Sequence, residues 1–359
     1  MLLARLSGTA KEFLDSEIKH NVLPEFRNTL FAAGIQLSND SNAKILICIN
    51  HNNRVYKEFI KNGGIVKNAI LIRVEPDAVY PKQYTNSVES KYGLILSPGA
   101  VEPPRFLGWP YEYHLNPAKP DELDPSLLEI LGKNLASSLF SYENWVQREK
   151  LLTMVASNKV SPVRGANYAL RRKIARTLSI SDLSVYGGLW TESIGVKALH
   201  RIAVLVAAIK QGTVPNLRQI YGNLFVSYRT AKGPIGNKHE LLKQSKFSLV
   251  IENSNRTITE KIFDSLINGC IPIYVGPNLE ICNLPPIVAY EINGSPEEIK
   301  KLIQNYSKEE IEIKLIRISE FLISADFLEN WPASKVYEKI GLEVSRYLSE
   351  KSGDSLSVN

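Results

Sequence analysis

The chain has 359 residues, 44% of them apolar and 22% charged. That is the balance of a soluble globular protein long enough for two domains of about 150 residues each. No apolar run approaches the roughly 18 residues of a membrane-spanning helix. The formal net charge is +6, with the basic residues scattered and not interleaved with aromatics, so nucleic acid is excluded as the expected partner and an anionic small molecule or an anionic membrane surface is favoured.

The opening Met1-Leu-Leu-Ala-Arg-Leu-Ser-Gly-Thr9 is too short and too soon interrupted for a secretory signal, which points to a cytoplasmic protein. Lys44-Ile-Leu-Ile-Cys-Ile-Asn50 reads as a buried strand, and residues 56–60 as a helix ended near Gly63-Gly64. Ala69-Ile-Leu-Ile-Arg-Val-Glu75 is a second strand and Tyr92-Gly-Leu-Ile-Leu-Ser97 a third. A Pro- and Gly-rich passage covers 98–120, and a helix is expected over 126–140. A new strand series begins at Leu151-Leu-Thr-Met-Val-Ala-Ser157, so the domain boundary is placed at 144–150. This gives domains of 1–146 and 147–330, and a terminal helix with a frayed polar end over 331–359. Strands alternating with helices throughout predict an α/β fold with parallel sheets.

The most informative stretch is Lys246-Phe-Ser-Leu-Val-Ile-Glu-Asn-Ser254, with Thr259-Glu-Lys261 and Gly269-Cys-Ile-Pro-Ile-Tyr-Val-Gly276 behind it. Phe247 to Ile251 is a short apolar run of strand formers, broken by the turn chemistry of Asn253, Ser254 and Asn255. Thr259 is placed to cap a helix that shows Ile262, Phe263, Leu266 and Ile267 on one face and ends at Gly269. Ile271 to Val275 is the next strand. Such a βαβ unit puts the loop and the helix N-terminus at the carboxyl edge of a parallel sheet, where nucleotides bind. Glu260 and Lys261 then sit where a ribose hydroxyl and a phosphate each find a partner.

These residues resemble the donor-site signature of the α-1,3-fucosyltransferases (glycosyltransferase family 10), in which Lys-Phe-x-Leu-x-Phe-Glu-Asn-Ser is followed by Tyr-x-Thr-Glu-Lys and Gly-x-x-Pro-Val-x-x-Gly. The family's loop is usually two residues longer, and its Tyr has no counterpart here, Thr257 lying nearest. The resemblance implies a GT-B type fold, with two Rossmann-like domains facing across a cleft, the first for a glycan acceptor and the second for GDP-fucose. It implies an inverting transfer of L-fucose in α-linkage to a glycan such as a lipopolysaccharide or capsule unit. The shortened loop keeps open a different nucleotide-sugar donor, and a binding protein without transferase activity is the alternative of another class. Peripheral contact with the inner membrane surface would suit a lipid-linked acceptor.

The resemblance also assigns roles. Glu75, at a strand end before Pro76, matches the family's catalytic base; the alternative is an ion pair with Arg73 or a nearby cation. Val155-Ala-Ser-Asn158 and Val185-Tyr-Gly-Gly188 match a second block, which places Asn158, Tyr186 and Gly187 at the donor site. Between them the family has an Arg at the diphosphate; spacing to Leu178 selects Arg171, with Arg172 adjacent and equally open. Glu260 is assigned to the ribose, Lys261 to phosphate, Asn253 with Glu252 to the nucleotide or sugar, and Ser254 and Thr259 are likewise expected to bind the donor. Glu252 either contacts the ligand or holds the loop's amides. No Asp-x-Asp, Cys-x-x-Cys, His-Glu-x-x-His or Walker loop occurs, and His20, His51, His114, His200 and His239 do not cluster in sequence. The expectation is therefore no metal and no cofactor, with Arg and Lys neutralising the diphosphate. Cys48, Cys270 and Cys282 are expected as buried free thiols.

Overall fold

Two all-parallel sheets, each in its own unit, organise the chain. The computed structural model describes residues 1–7, 24–97, 115–116, 119–123, 127–210, 212, 214–215 and 217–354. Most of the Pro- and Gly-rich passage over 98–120 and the polar end over 355–359 lie outside the described residues. One unit comprises Met1–Pro76, Lys82–Ser126 and Leu328–Asn359, the other Asp77–Pro81 and Leu127–Phe327.

The first unit runs β1 (Leu2–Ser7), α1 (Pro24–Ala32), β2 (Ile35–Ser38), β3 (Ile45–Ile49), α2 (Asn53–Lys61), β4 (Ala69–Ile72), α3 (Asn86–Glu89) and β5 (Leu94–Leu96). A short antiparallel pair, β6 (Leu115–Asn116) and β7 (Lys119–Leu123), follows. The sheet order is β2-β1-β3-β4-β5, the flavodoxin-like arrangement. Every side chain of β3 and β4 is buried, as expected of strands covered on both faces. Each such Ile or Leu contributes roughly 1.5–3 kcal/mol of hydrophobic stabilisation. The strand expected to reach Glu75 stops at Ile72, and the chain bends away.

The second unit runs α4 (Leu127–Leu135), α5 (Tyr142–Val146), β8 (Lys150–Val155), α6 (Tyr168–Thr177), β9 (Leu183–Tyr186), α7 (Ile194–Lys210), α8 (Leu217–Tyr221) and β10 (Ala231–Gly233). Then come α9 (Lys238–Lys243), β11 (Ser245–Ile251), α10 (Glu260–Ile267), β12 (Ile271–Val275), β13 (Tyr290–Glu291), α11 (Pro296–Gln304), α12 (Lys308–Ile323) and α13 (Ala325–Asn330). The order β10-β9-β8-β11-β12-β13 is that of a Rossmann sheet, three strands wound one way from β8 and three the other way from β11. The order reverses between β8 and β11, which are hydrogen-bonded neighbours.

The division falls at 126/127, not at 144–150, and side chains of the intervening segment explain why. Asn134 Nδ2 donates to Ile267 O at 2.6 Å, and Trp145 Nε1 to Lys246 O at 2.8 Å. Buried Arg148 donates to the carbonyls of Ser245, Gly269 and Leu139 at 2.8–3.0 Å. Those bonds satisfy backbone at the amino ends of β11 and β12, so the segment belongs to the second unit. The terminal helix is real but longer than a frayed tail: α14 (Ala333–Asp354) continues past Ser349 and returns to the first unit, where it packs on α1. Gly341 makes that crossing close, since a Cβ there would lie 2.9 Å from Thr29 Cβ. All three cysteines are free and buried.

Candidate functional site

The loop from Glu252 to Thr259 leaves the carboxyl end of β11 beside the reversal point and enters α10. Glu252 is fully buried. Its Oε1 accepts the Thr259 backbone N–H at 2.9 Å and its Oε2 the Thr259 hydroxyl at 2.5 Å. Lys261 Nζ lies 3.6 Å from Oε2. Burial raises the Glu252 carboxyl above its ordinary range, against the opposing pull of Lys261 and the Thr259 bonds. Of the two roles open to Glu252, this geometry favours holding the loop. Thr259 occupies the N-cap position, but its hydroxyl donates to Glu252 and caps no amide of α10. That hydroxyl accepts from Lys261 Nζ at 2.7 Å, and Glu260 Oε1 lies 3.8 Å from the same ammonium. A partly buried cation and carboxylate thus meet at a helix N-terminus, where the dipole favours anions.

Arg171, on α6, reaches this loop. Its Nη2 donates to Ile251 O at 2.5 Å and to Asn253 Oδ1 at 3.0 Å, and its guanidinium lies 4.8 Å from the Tyr168 ring centroid. Burial lowers its pKa, while Tyr168, Glu252 and Glu260 hold the charge. Arg172 faces elsewhere: Nη1 donates to Lys159 O at 2.9 Å. Burial pushes it down to about 10, with Tyr228 raising it and Arg201, Arg171 and Arg176 adding to the fall. Of the two arginines, the one that the spacing to Leu178 selects, Arg171, is the one that touches the 252–259 loop.

The second block lies at the carboxyl ends of β8 and β9. Asn158 is buried, with Nδ2 donating to Leu189 O at 3.0 Å and Oδ1 without a partner among the described residues. Tyr186 ends β9, and its carbonyl accepts from Ala156 N at 2.9 Å. Gly187 has φ +133°, and a Cβ there would come within 2.5 Å of Ala156 O, so a side chain is excluded. Leu189 holds a left-handed φ of 67°, unusual for a bulky residue at a sheet edge.

Glu75 lies in the first unit, exposed, past the end of β4. Its position is set by Asn50, which has a φ of 56° and turns its side chain across the strand end. Asn50 Oδ1 accepts the amides of Val74 and Glu75, both at 3.0 Å, and Gln83 Nε2 at 3.2 Å. The Glu75 carbonyl accepts from Gln83 Nε2 and the Tyr84 hydroxyl. Arg73, the other candidate partner for Glu75, pairs with Glu89 at 2.6 Å, donates to Gln83 O and stacks on Tyr84.

Two supports of the 252–259 loop escape sequence reasoning. Asn167 donates its backbone N–H to Asn253 O at 2.9 Å and its Nδ2 to Asn255 Oδ1 at 2.8 Å. Asp77 belongs to the second unit and accepts the Ser254 hydroxyl at 2.6 Å, so Ser254 serves the loop's own structure. The available signals were faint: an Asn opening a helix, and an Asp just after Glu75-Pro76.

No family model matches the chain. A fucosyltransferase-like protein of Arabidopsis thaliana is 46% identical over 56 residues, which is 15% of this chain and 11% of that curated relative's length. A crystal structure of an α1,3-fucosyltransferase matches with a TM-score of 0.52 at 18% identity, covering 96% of this chain and 91% of the other. A crystal structure of α1,3-fucosyltransferase with GDP matches with a TM-score of 0.50 at 16% identity, covering 97% and 90%. In fold, that of the GT-B glycosyltransferases, and in the order of its residues from Lys246 to Gly276, the chain resembles the α1,3-fucosyltransferases.

Proposed function

We propose that the chain is an inverting glycosyltransferase, transferring L-fucose from GDP-fucose in α-linkage to a hydroxyl of a glycan such as a lipopolysaccharide or capsule unit. The observation that carries this reading is the assembly of Arg171, Asn253, Glu260 and Lys261 at the carboxyl edge of a Rossmann sheet beside its reversal point. In this reading Glu260 accepts the ribose hydroxyls and Lys261 and Arg171 meet the diphosphate. Glu75 takes the proton of the acceptor hydroxyl as that oxygen attacks the anomeric carbon. The bond from that carbon to the diphosphate oxygen breaks on the opposite face, and GDP leaves with its charge stabilised by the two cations. In this reading those cations take the place of a bound metal.

The shortened loop, which lacks the family's Tyr, favours a second reading: the same chemistry on another nucleotide-sugar. A thermal-shift panel of GDP, UDP, ADP and CDP separates the two. The decisive measurement is transfer from GDP-fucose to short glycans, read by mass spectrometry. A gain of one fucose, absent in Glu75→Gln, is expected; selective stabilisation by UDP with no fucosyl product would remove GDP-fucose as donor.

A further inference from the structure

Helix α7 is built inside out. Lys197 and Arg201 point into the second unit, where Lys197 Nζ donates to Trp190 O at 3.0 Å and Arg201 Nη1 donates to Ile220 O. The outward face, at helical spacing, is Leu199, Ile202, Val206 and Ile209, exposed by 69, 49, 42 and 63%. A helix bathed in water on one side has the opposite arrangement. The exposed apolar run continues with Val214 at 90%, Leu217 on α8, and Phe225 at 78%. Single exposed apolar residues are ordinary, whereas a continued series signals a covering surface.

Charge indicates what covers it. From Ile194 to His239 the sequence contains no Asp or Glu, in a chain whose 43 Lys and Arg and 37 Asp and Glu otherwise nearly balance. Lys210, Arg218, Arg229 and Lys232, all in this stretch, are exposed. Lysine is depleted from protein–protein interfaces. Apolar side chains with basic and no acidic neighbours are what settles into the headgroup layer of an anionic bilayer. We propose that this face of the second unit docks on an anionic lipid surface, its Leu, Ile, Val and Phe side chains entering the headgroup–acyl boundary and its cations meeting lipid phosphates. The mode is lying on the surface: no helix among the described residues is long and apolar enough to cross a membrane.

The test is flotation of the full chain with phosphatidylcholine vesicles, with and without phosphatidylglycerol. Binding is expected only with the anionic lipid and should weaken as salt rises. Ile202→Ser with Ile209→Ser should reduce binding by at least about tenfold. Lys210→Glu with Arg218→Glu should reduce it by roughly fivefold for each cation lost. These side chains are exposed, so circular dichroism and melting should match the parent. Val206→Trp supplies an independent readout, a blue-shifted emission on adding anionic vesicles. Absence of anionic-vesicle binding, or binding that all four substitutions leave unchanged, overturns the proposal. So does a concentration-dependent dimer, seen without vesicles and abolished by the two serines, which would assign the face to a second copy of the chain.

Discussion

Replacing Glu252 by alanine should destabilise the second unit by roughly 2–3 kcal/mol. The side chain is fully buried, and its loss strands the Thr259 backbone N–H and hydroxyl, both in a residue that is itself buried. A buried donor without a partner costs about 1–3 kcal/mol, so two cost roughly 2–6 kcal/mol. Removing a carboxylate whose burial is itself unfavourable offsets part of this, which brings the net toward the lower end. Glu252→Gln keeps one acceptor for the Thr259 amide and should lose less than half as much. The assay is urea denaturation followed by tryptophan emission, Trp145 and Trp190 both being buried in that unit, with GDP affinity measured on the same samples. An alanine variant within about 0.5 kcal/mol of the parent that has nonetheless lost GDP would refute the reasoning, since that is the signature of a ligand contact.

Glu75→Gln should lower turnover by roughly two to four decades with the melting temperature unchanged; a well-folded variant of normal rate would send the search for the base elsewhere. Lys261→Ala and Glu260→Ala should each weaken GDP binding by about one to two decades, the worth of a charge-assisted contact; parental affinity in both would dismiss the donor assignment. Transfer should persist in EDTA, and loss restored by manganese would show that a metal carries the diphosphate charge. His51, buried and bonded to the Tyr92 hydroxyl at 2.8 Å, is held near pKa 4 by burial and by Lys91 and Lys82. The unfolded chain binds that proton more readily, so stability should fall as pH drops from about 6.5 to about 4. His51→Gln should flatten this part of the pH profile of the first unit, and an identical slope would contradict the assignment.

Strand β11, the loop after it and helix α10 were legible because several short-range signals coincide there. An apolar run ends in Asn-Ser-Asn, a Thr precedes Glu-Lys, and a Gly stops the helix. The choice between Arg171 and Arg172 was open because helix neighbours differ in direction, and only the fold shows which one faces Asn253. The strand expected to carry Glu75 to its end stops three residues short, because Asn50, distant in sequence, captures the next amides. The boundary was misplaced for a similar reason: Arg148 and Asn134 bond to carbonyls more than a hundred residues away or nearly so. An apolar stripe such as that of α7 reads naturally as a buried face, and periodicity carries no sign that says which way it points.

The discontinuous make-up of the first unit bears on how the chain is born. Domains usually complete themselves from the amino end as they leave the ribosome. Here Phe26 and Leu30 of α1 are buried in a unit whose helix α14 brings Val336, Ile340 and Val344 only after the whole second unit has been made. The later unit, apart from Asp77–Pro81, is contiguous and has all its strands once β13 emerges. The expectation is that maturation order reverses synthesis order, with the earlier-made half partly uncovered until α14 is made. A ribosome stalled just before Ala333 should hold a protease-resistant second unit tethered to a first one that is still readily cut.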